Sequence, residues 1–442
     1  MTPKSKSGTK IAVVAAAAAA APASPRLPAS MNERLLVSRS CMVELPFFER
    51  FLPATIPAMG RYRQPQRQHD MVRRPASSCA PSCIRSLYLA WTIDDLDTPC
   101  VTIDLDAVER NLARAQDYCR RNGLALRPHI KTHKIPEFAR RQIELGAIGI
   151  TCQKIGEAEV MADAGIDDIL ITYNIVGRQK LERLAALARR ARLTLVFDSR
   201  EAANGVSTAL SAANLSAGAM VECDTGAGRC GVQSPAEAAD LAAEISPLPA
   251  LGFRGLMTYA PKGTTAPTSV WLAEAVAACE RKGLSVEIVS TGGTPDLYRA
   301  REVAPATEHR PGTYIYSDRY MVAHGVGTLE DCAIRIVTTV VSRPTATRAI
   351  LDAGSKTLSS DPMGLEGYGQ ALEYPKATLP AMSEEHGHLD VAACNARPTI
   401  GERVTIIPNH ACAVSNLHDV VYGVRGNRVE RAFAVAARGK VQ

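Results

Sequence analysis

Ile148-Gly149-Ile150-Thr151-Cys152-Gln153-Lys154-Ile155-Gly156-Glu157-Ala158-Glu159-Val160-Met161-Ala162-Asp163-Ala164-Gly165-Ile166-Asp167-Asp168-Ile169-Leu170-Ile171-Thr172-Tyr173 reads as one β-α-β unit. Residues 148–152 and 169–173 are short, nearly continuous apolar runs, as strands covered on both faces require. Residues 156–164 between them carry the mixed pattern of a helix with one apolar side. The unit recurs. Strand-type runs are expected at 125–130, 148–152, 169–173, 193–198, 219–223, 253–259, 286–290 and 309–316, with helices between them, for example at 156–164, 178–190, 235–245 and 269–282. Eight strands alternating with helices in about 230 residues imply a parallel sheet closed into a (β/α)8 barrel. After Gly327 the helical periods fade. Runs at 333–341, 348–352, 403–408, 420–424 and 431–437 predict a mostly-β domain, completed by the early strand 100–105. The expected fold class is therefore α/β, with a barrel over 93–326 and a C-terminal mostly-β domain over 327–442.

Charge is unevenly placed. Residues 1–92 hold 13 Lys/Arg against 4 Asp/Glu, whereas the remaining 350 hold 38 against 41. The body is near neutral, which argues against a nucleic-acid partner. Twelve cysteines in 442 residues are too sparse for a disulfide framework and read as reduced thiols, as in a cytoplasmic protein. Cys79 and Cys83 have the spacing of a metal pair, with nothing nearby to complete it. No run reaches the roughly 18 apolar residues of a membrane span. Residues 11–21, preceded by Lys4, Lys6 and Lys10 and followed by small residues, share features with a secretory signal. A targeting peptide and an extended start are the alternatives. The reading adopted for 1–92 is a disordered or non-native extension, because Pro, Arg and Ser recur without a helical or strand period.

In a barrel the reacting groups gather at the carboxyl ends of the strands. The first such end is Arg127-Pro128-His129-Ile130-Lys131-Thr132-His133-Lys134. Desolvation at the mouth lowers a lysine's pKa and makes it an amine nucleophile. Lys131 and Lys134 compete for that role, and Arg127 and Lys134 are the expected basic neighbours. The seventh end, Ser290-Thr291-Gly292-Gly293-Thr294, can aim backbone N–H groups at an anion, although such a turn is equally a plain tight turn.

These segments resemble the D-threonine aldolase and D-serine dehydratase family of fold-type III PLP enzymes, which pair an alanine-racemase-like barrel with a β domain. The likeness runs from about 96 to 440. It includes Leu96-Asp97-Thr98-Pro99, residues 152–158, Gly228-Arg229-Cys230-Gly231-Val232, Leu351-Asp352-Ala353-Gly354, Glu385-His386-Gly387, Pro408-Asn409-His410-Ala411-Cys412 and Asn416-Leu417-His418-Asp419. The resemblance implies Lys131 as the residue that holds pyridoxal 5'-phosphate as a Schiff base. It implies Gly292, Gly293 and Thr294 as phosphate binders, helped by Gly312, Thr313 and Tyr316. Tyr259 belongs to the cofactor site, and Arg229 faces the pyridine nitrogen, which a permanently charged group keeps unprotonated.

It also implies a divalent metal, zinc or manganese, at His410 and Cys412. On an extended segment residues i and i+2 point the same way, so this pair is expected to share a face. One departure stands out. The family's histidine beside the Tyr259 strand end is missing from Met257-Thr258-Tyr259-Ala260-Pro261-Lys262. His386, His418 and a metal-bound water are the candidate replacements. The activity implied is cleavage of a β-hydroxy D-amino acid to glycine and an aldehyde. D-Serine dehydration is the alternative, favoured by Cys412, and racemisation is a weaker one. A D-amino acid is the implied partner, with no membrane, and a homodimer the implied assembly.

Overall fold

The alternating apolar runs become two sheets in the computed structural model, which describes residues 91–442. The stretch 11–21 and the pair Cys79 and Cys83 lie outside the described residues. Strand β1 (Cys100–Asp104) belongs to the second sheet. The next eight strands are β2 (Ala125–Leu126), β3 (Ile150–Cys152), β4 (Asp168–Ile171), β5 (Arg192–Phe197), β6 (Ala217–Cys223), β7 (Leu251–Thr258), β8 (Ile288–Gly292) and β9 (Glu308–Arg310). They pair in parallel in the order β2-β9-β8-β7-β6-β5-β4-β3. The two ends meet where His129 bridges Thr151, with Ile130 N–H donating to the Thr151 carbonyl at 2.9 Å and Thr151 N–H to the Pro128 carbonyl at 2.7 Å. The sheet is therefore closed.

Side-chain alternation sets up two layers of core. Ile169, Ile171, Leu193, Leu195, Phe197, Ala219 and Val221 face the surrounding helices. Leu170, Val196, Met220 and Met257, one step out of phase, pack together as a separate cluster that plugs the barrel. The interior also holds a buried polar set, Arg127, Ser290, Glu308 and Arg310, bonded to one another.

Two expected strands are shorter than their apolar runs. The run 125–130 pairs regularly only over Ala125–Leu126, because Pro128 has no N–H to give the ladder. The run 309–316 pairs only through Arg310. Pro311-Gly312 then breaks it, and Thr313–Ile315 turns as a 3-10 helix.

The second sheet draws on both ends of the described chain. Its strands are β1, β10 (Ile334–Ser342), β11 (Arg348–Leu351), β12 (Gly369–Ala371), β13 (Thr378–Met382), β14 (Gly387–Asp390), β15 (Arg403–Pro408), β16 (Val420–Arg425) and β17 (Arg428–Ala434). β1 lies between β10, antiparallel, and β16, parallel. The second sheet thus takes its central strand from within the 93–326 segment. Strands β12 to β14 escape a sequence reading. They are short, β13 is largely exposed and carries Pro380, the pattern of an edge strand. Helix Ala411–Leu417 also interrupts the β-rich region. Among the described residues no helix is long and apolar enough to cross a membrane.

Candidate active site

Lys131 is held by its neighbours. Ile130 is fully buried, Lys134 N–H donates to the Ile130 carbonyl at 2.8 Å, and Thr132 Oγ1 lies 3.1 Å from Cys412 Sγ. The Lys131 side chain lines a cavity of about 180 Å³ at the carboxyl ends of the barrel strands. A carboxylate sets Lys134 apart from Lys131. Lys134 is buried and its Nζ sits 2.7 Å from Glu157 Oε1. It is thus a structural cation, whereas Lys131 faces open space.

Burial lowers the Lys131 pKa, Cys412 opposes this, and Arg229 and Arg310 lower it further. The expected neighbours Arg127 and Lys134 are not the ones that act. Arg127 is bound to Glu308 at 2.8 Å and Asp168 at 2.6 Å, and its charge is matched there.

The turn after β8 forms the opposite wall. Gly292, Gly293, Thr294, Gly312 and Thr313 all line the cavity. Gly293 has φ +112, in the region glycine favours. A Cβ on Gly292 would come 3.0 Å from the Arg310 guanidinium, and one on Gly312 would come 3.0 Å from Thr132 Oγ1. Thr294 Oγ1 accepts from Gly312 N–H at 3.1 Å and Tyr314 N–H at 3.2 Å, fastening the β8 turn to the one after β9. His309 braces the same turn through Thr291 Oγ1 at 2.9 Å and the Gly293 carbonyl at 3.0 Å. The Thr294 and Thr313 N–H groups find no acceptor among the described residues. Close backbone, space that side chains would fill and two free donors suit a phosphate group.

Tyr316 does not belong to that wall. It is fully buried, edge-on to Phe138 at 5.9 Å and to His133 at 6.5 Å. The 3-10 turn at Thr313–Ile315 rotates it away from the face that an extended strand would have given it.

Arg229 and Tyr259 line the cavity together, with the guanidinium 5.0 Å from the ring centre. Burial raises the Tyr259 phenol, and Arg229 partly offsets this. Glu222, at the end of β6, reaches Arg229 at 3.9 Å.

The third side comes from the second sheet's connections. His410 precedes the helix with extended backbone (φ −135, ψ 96), and Cys412 lies in its first turn. The two residues are therefore not successive positions on a strand. A bend at Ala411, whose N–H donates to Asp318 at 2.9 Å, sets Cys412 against Thr132 and near enough to His410 for each to shift the other's pKa. Burial pushes the Cys412 thiol up, but His410, Thr132 and Lys131 bring it below its usual range. Burial pushes His410 down, yet Cys412 and Asp361 raise it to about 9. An imidazole and a readily ionised thiol side by side suit a soft divalent metal such as zinc. Among the described residues no cluster of three or more such ligands forms, so a metal held here would keep positions for other ligands.

Neither proposed stand-in histidine reaches the cavity. His386 contacts Ser383 Oγ at 3.2 Å in the turn before β14, and His418 contacts the Thr357 carbonyl at 3.1 Å. The walls also contain groups with no assigned role in the sequence reading: His129, Gln153, Arg310, Tyr320 and Met363. Strand-end position alone flags His129, Gln153 and Arg310. Tyr320 and Met363 come from segments beyond the barrel, where no such rule operates. His129 contacts Gln153 at 3.0 Å. Burial and the adjacent Lys131 hold its pKa well below 6.5, so the ring is neutral.

Comparison with known proteins follows the same lines. Residues 103–320 match the alanine racemase N-terminal domain, and residues 333–424 a putative serine dehydratase domain. A D-threonine aldolase of Arthrobacter sp is 34% identical over 357 residues, covering 78% of this chain and 93% of the relative. A D-threo-3-hydroxyaspartate dehydratase of Delftia sp. is 32% identical, covering 79% of this chain and 97% of the relative. The crystal structure of a D-threonine aldolase from Filomicrobium marinum superposes with a TM-score of 0.75 at 35% identity, covering 80% of this chain and all of that one.

Proposed function

Because the chain belongs to the D-threonine aldolase and D-serine dehydratase family of alanine-racemase-like PLP lyases, we propose that it cleaves β-hydroxy D-amino acids of the D-threonine type to glycine and an aldehyde. The observation that carries this reading is the convergence of Lys131, the Gly292–Thr294 turn and the His410–Cys412 pair around one cavity.

PLP, when bound, supplies the electron sink for breaking a bond at Cα, and a zinc or manganese ion supplies a Lewis acid for the β-oxygen. The residues divide the remaining work. Lys131, with its lowered pKa, offers an amine to the cofactor aldehyde. Gly292, Gly293, Thr294, Gly312 and Thr313 receive the phosphate. Arg229, in the cavity wall, would present a permanent charge to the pyridine nitrogen and disfavour its protonation. Tyr259, under Arg229, forms the adjoining wall. His410 and Cys412 would hold the metal, which would supply its charge to the β-oxygen. With no histidine beside Tyr259, the phenols of Tyr259 and Tyr320, both in the cavity wall, are the candidates to relay the β-hydroxyl proton.

A second reading, dehydration to a 2-oxo acid and ammonia, is favoured by Cys412 as a soft ligand beside His410. Assay of the PLP-loaded protein with D-threonine and D-serine, with Mn2+ or Zn2+, separates the two. Glycine with acetaldehyde is the expected result. Pyruvate or 2-oxobutyrate with ammonia transfers the assignment to the dehydratase reading. Appearance of the opposite enantiomer alone overturns both.

Thr294→Val preserves shape but leaves the buried Gly312 and Tyr314 N–H groups without an acceptor, at about 1–3 kcal/mol each. PLP binding is expected to weaken by roughly tenfold or more, read by absorbance titration of apoprotein. Unchanged affinity removes this turn from the cofactor cradle. Tyr173 (40%) and Tyr259 (39%) leave aromatic surface exposed, which suits a homodimer in which a second copy covers it. Light scattering on the full chain tests that assembly.

A further inference from the structure

His410 has a partner outside the barrel and outside the motif that contains it. The segment 359–367 connects helix Ser355–Leu358 to β12. From it, Asp361 Oδ2 lies 2.7 Å from His410 Nδ1. A carboxylate only accepts, so Nδ1 carries a proton and Nε2 is the ring nitrogen left to face a metal. Asp361 is itself held in place. Its Oδ1 accepts from Met363 N–H at 3.1 Å, and its own N–H donates to Ser359 Oγ at 3.1 Å.

The whole segment is tied down near the same histidine. The buried Asn409 amide donates to the Pro362 carbonyl at 3.1 Å and the Gly367 carbonyl at 2.8 Å. Arg319 donates to the Glu366 carbonyl at 2.6 Å and to Asn409 Oδ1 at 3.1 Å. Ser359 (φ 70) and Met363 (φ 53) are non-glycine residues in the left-handed region, conformations that persist where surrounding bonds hold them. Met363, two residues after Asp361, forms part of the cavity wall.

We propose that Asp361 is a positioning residue that fixes His410 as an Nε2 metal ligand and thereby couples metal binding to the seating of residues 359–367, with Met363, over the cavity. This rests on the reading of His410 and Cys412 as the metal pair. A carboxylate on the distal nitrogen fixes the tautomer and ring orientation of a ligating histidine, and loss of such a partner typically costs 10–100-fold in metal affinity. Asp361 is half-exposed, so its replacement leaves the core intact.

The test uses the full chain loaded with PLP and titrated with Co2+, whose visible bands report the ligand set. Zn2+ affinity is measured in parallel against a chromophoric chelator. Asp361→Ala is expected to weaken both metals by about 10–100-fold, with PLP absorption and thermal midpoint as in the parent. Asp361→Asn, whose amide oxygen still accepts from Nδ1–H, is expected to recover part of the loss. Zn2+ should slow amide exchange across 359–367 in the parent and not in Asp361→Ala. Parent-like affinity in Asp361→Ala overturns the proposal. So does a cobalt spectrum in that variant that shows one ligand fewer, because Asp361 would then bind the metal itself. If the parent binds neither Co2+ nor Zn2+, while His410→Ala behaves identically, the metal-pair reading falls and takes this inference with it.

Discussion

Lys131→Ala is expected to abolish turnover, by roughly 10³-fold or more, and to remove the visible band of covalently held cofactor. Lys131 is the cavity's only lysine among the lining residues, and burial together with Arg229 and Arg310 favours its neutral form. A neutral amine attacks a carbonyl and an ammonium does not. The phosphate-type wall across the cavity is built from other segments and survives the substitution. Cofactor should therefore still bind, reversibly, and be lost on desalting. Absorption spectra before and after gel filtration read both effects. A band that persists in Lys131→Ala would move the attachment point elsewhere.

Lys134→Ala, three residues away, is expected to fail differently. It strands Glu157, which is 1% exposed, without its cation. Breaking a buried pair from one side costs about 3–5 kcal/mol. Two backbone bonds to Glu157, from Gln153 N–H at 2.7 Å and Lys154 N–H at 3.3 Å, offset part of this and place the result toward the lower figure. Urea midpoints should fall accordingly, whereas the visible band, referred to folded protein, should persist. Adding Glu157→Gln to Lys134→Ala removes the stranded charge and should recover part of the loss. A single-variant midpoint equal to the parent's would mean that the pair contributes nothing to stability. The two lysines thus differ in readout, one chemical and one structural, although the sequence presents them as equals.

Much of the fold was legible because strand and helix periods are local properties. The β-α-β unit at 148–173 and its repeats required only the spacing of apolar residues, and helix Pro235–Ile245 was placed to the residue. The failures have identifiable causes. Pro128 and Pro311 shortened two strands by removing donors from the ladder. Strands β12 to β14 lacked a buried, alternating pattern. Helix Ala411–Leu417 was missed because the segment after the 403–408 strand, with His410 and Cys412, reads as extended. Of the site, the strand-end rule and the motifs located Lys131, Arg229, Tyr259, the two glycine turns, His410 and Cys412, all of which the tertiary structure brings around the cavity or into contact with its walls.

By itself, then, the sequence determined the barrel, its strand ends and the short list of residues able to do chemistry there, because each depends on composition and spacing along the chain. Only the tertiary structure decided which lysine is free, since that depends on Glu157 lying 2.7 Å from Lys134. It also set Tyr316 in the core, left His386 and His418 outside the cavity, and brought Asp361, 49 residues away in the chain, onto His410. Those outcomes depend on which side chains packing brings within a few ångströms, and no local period encodes that.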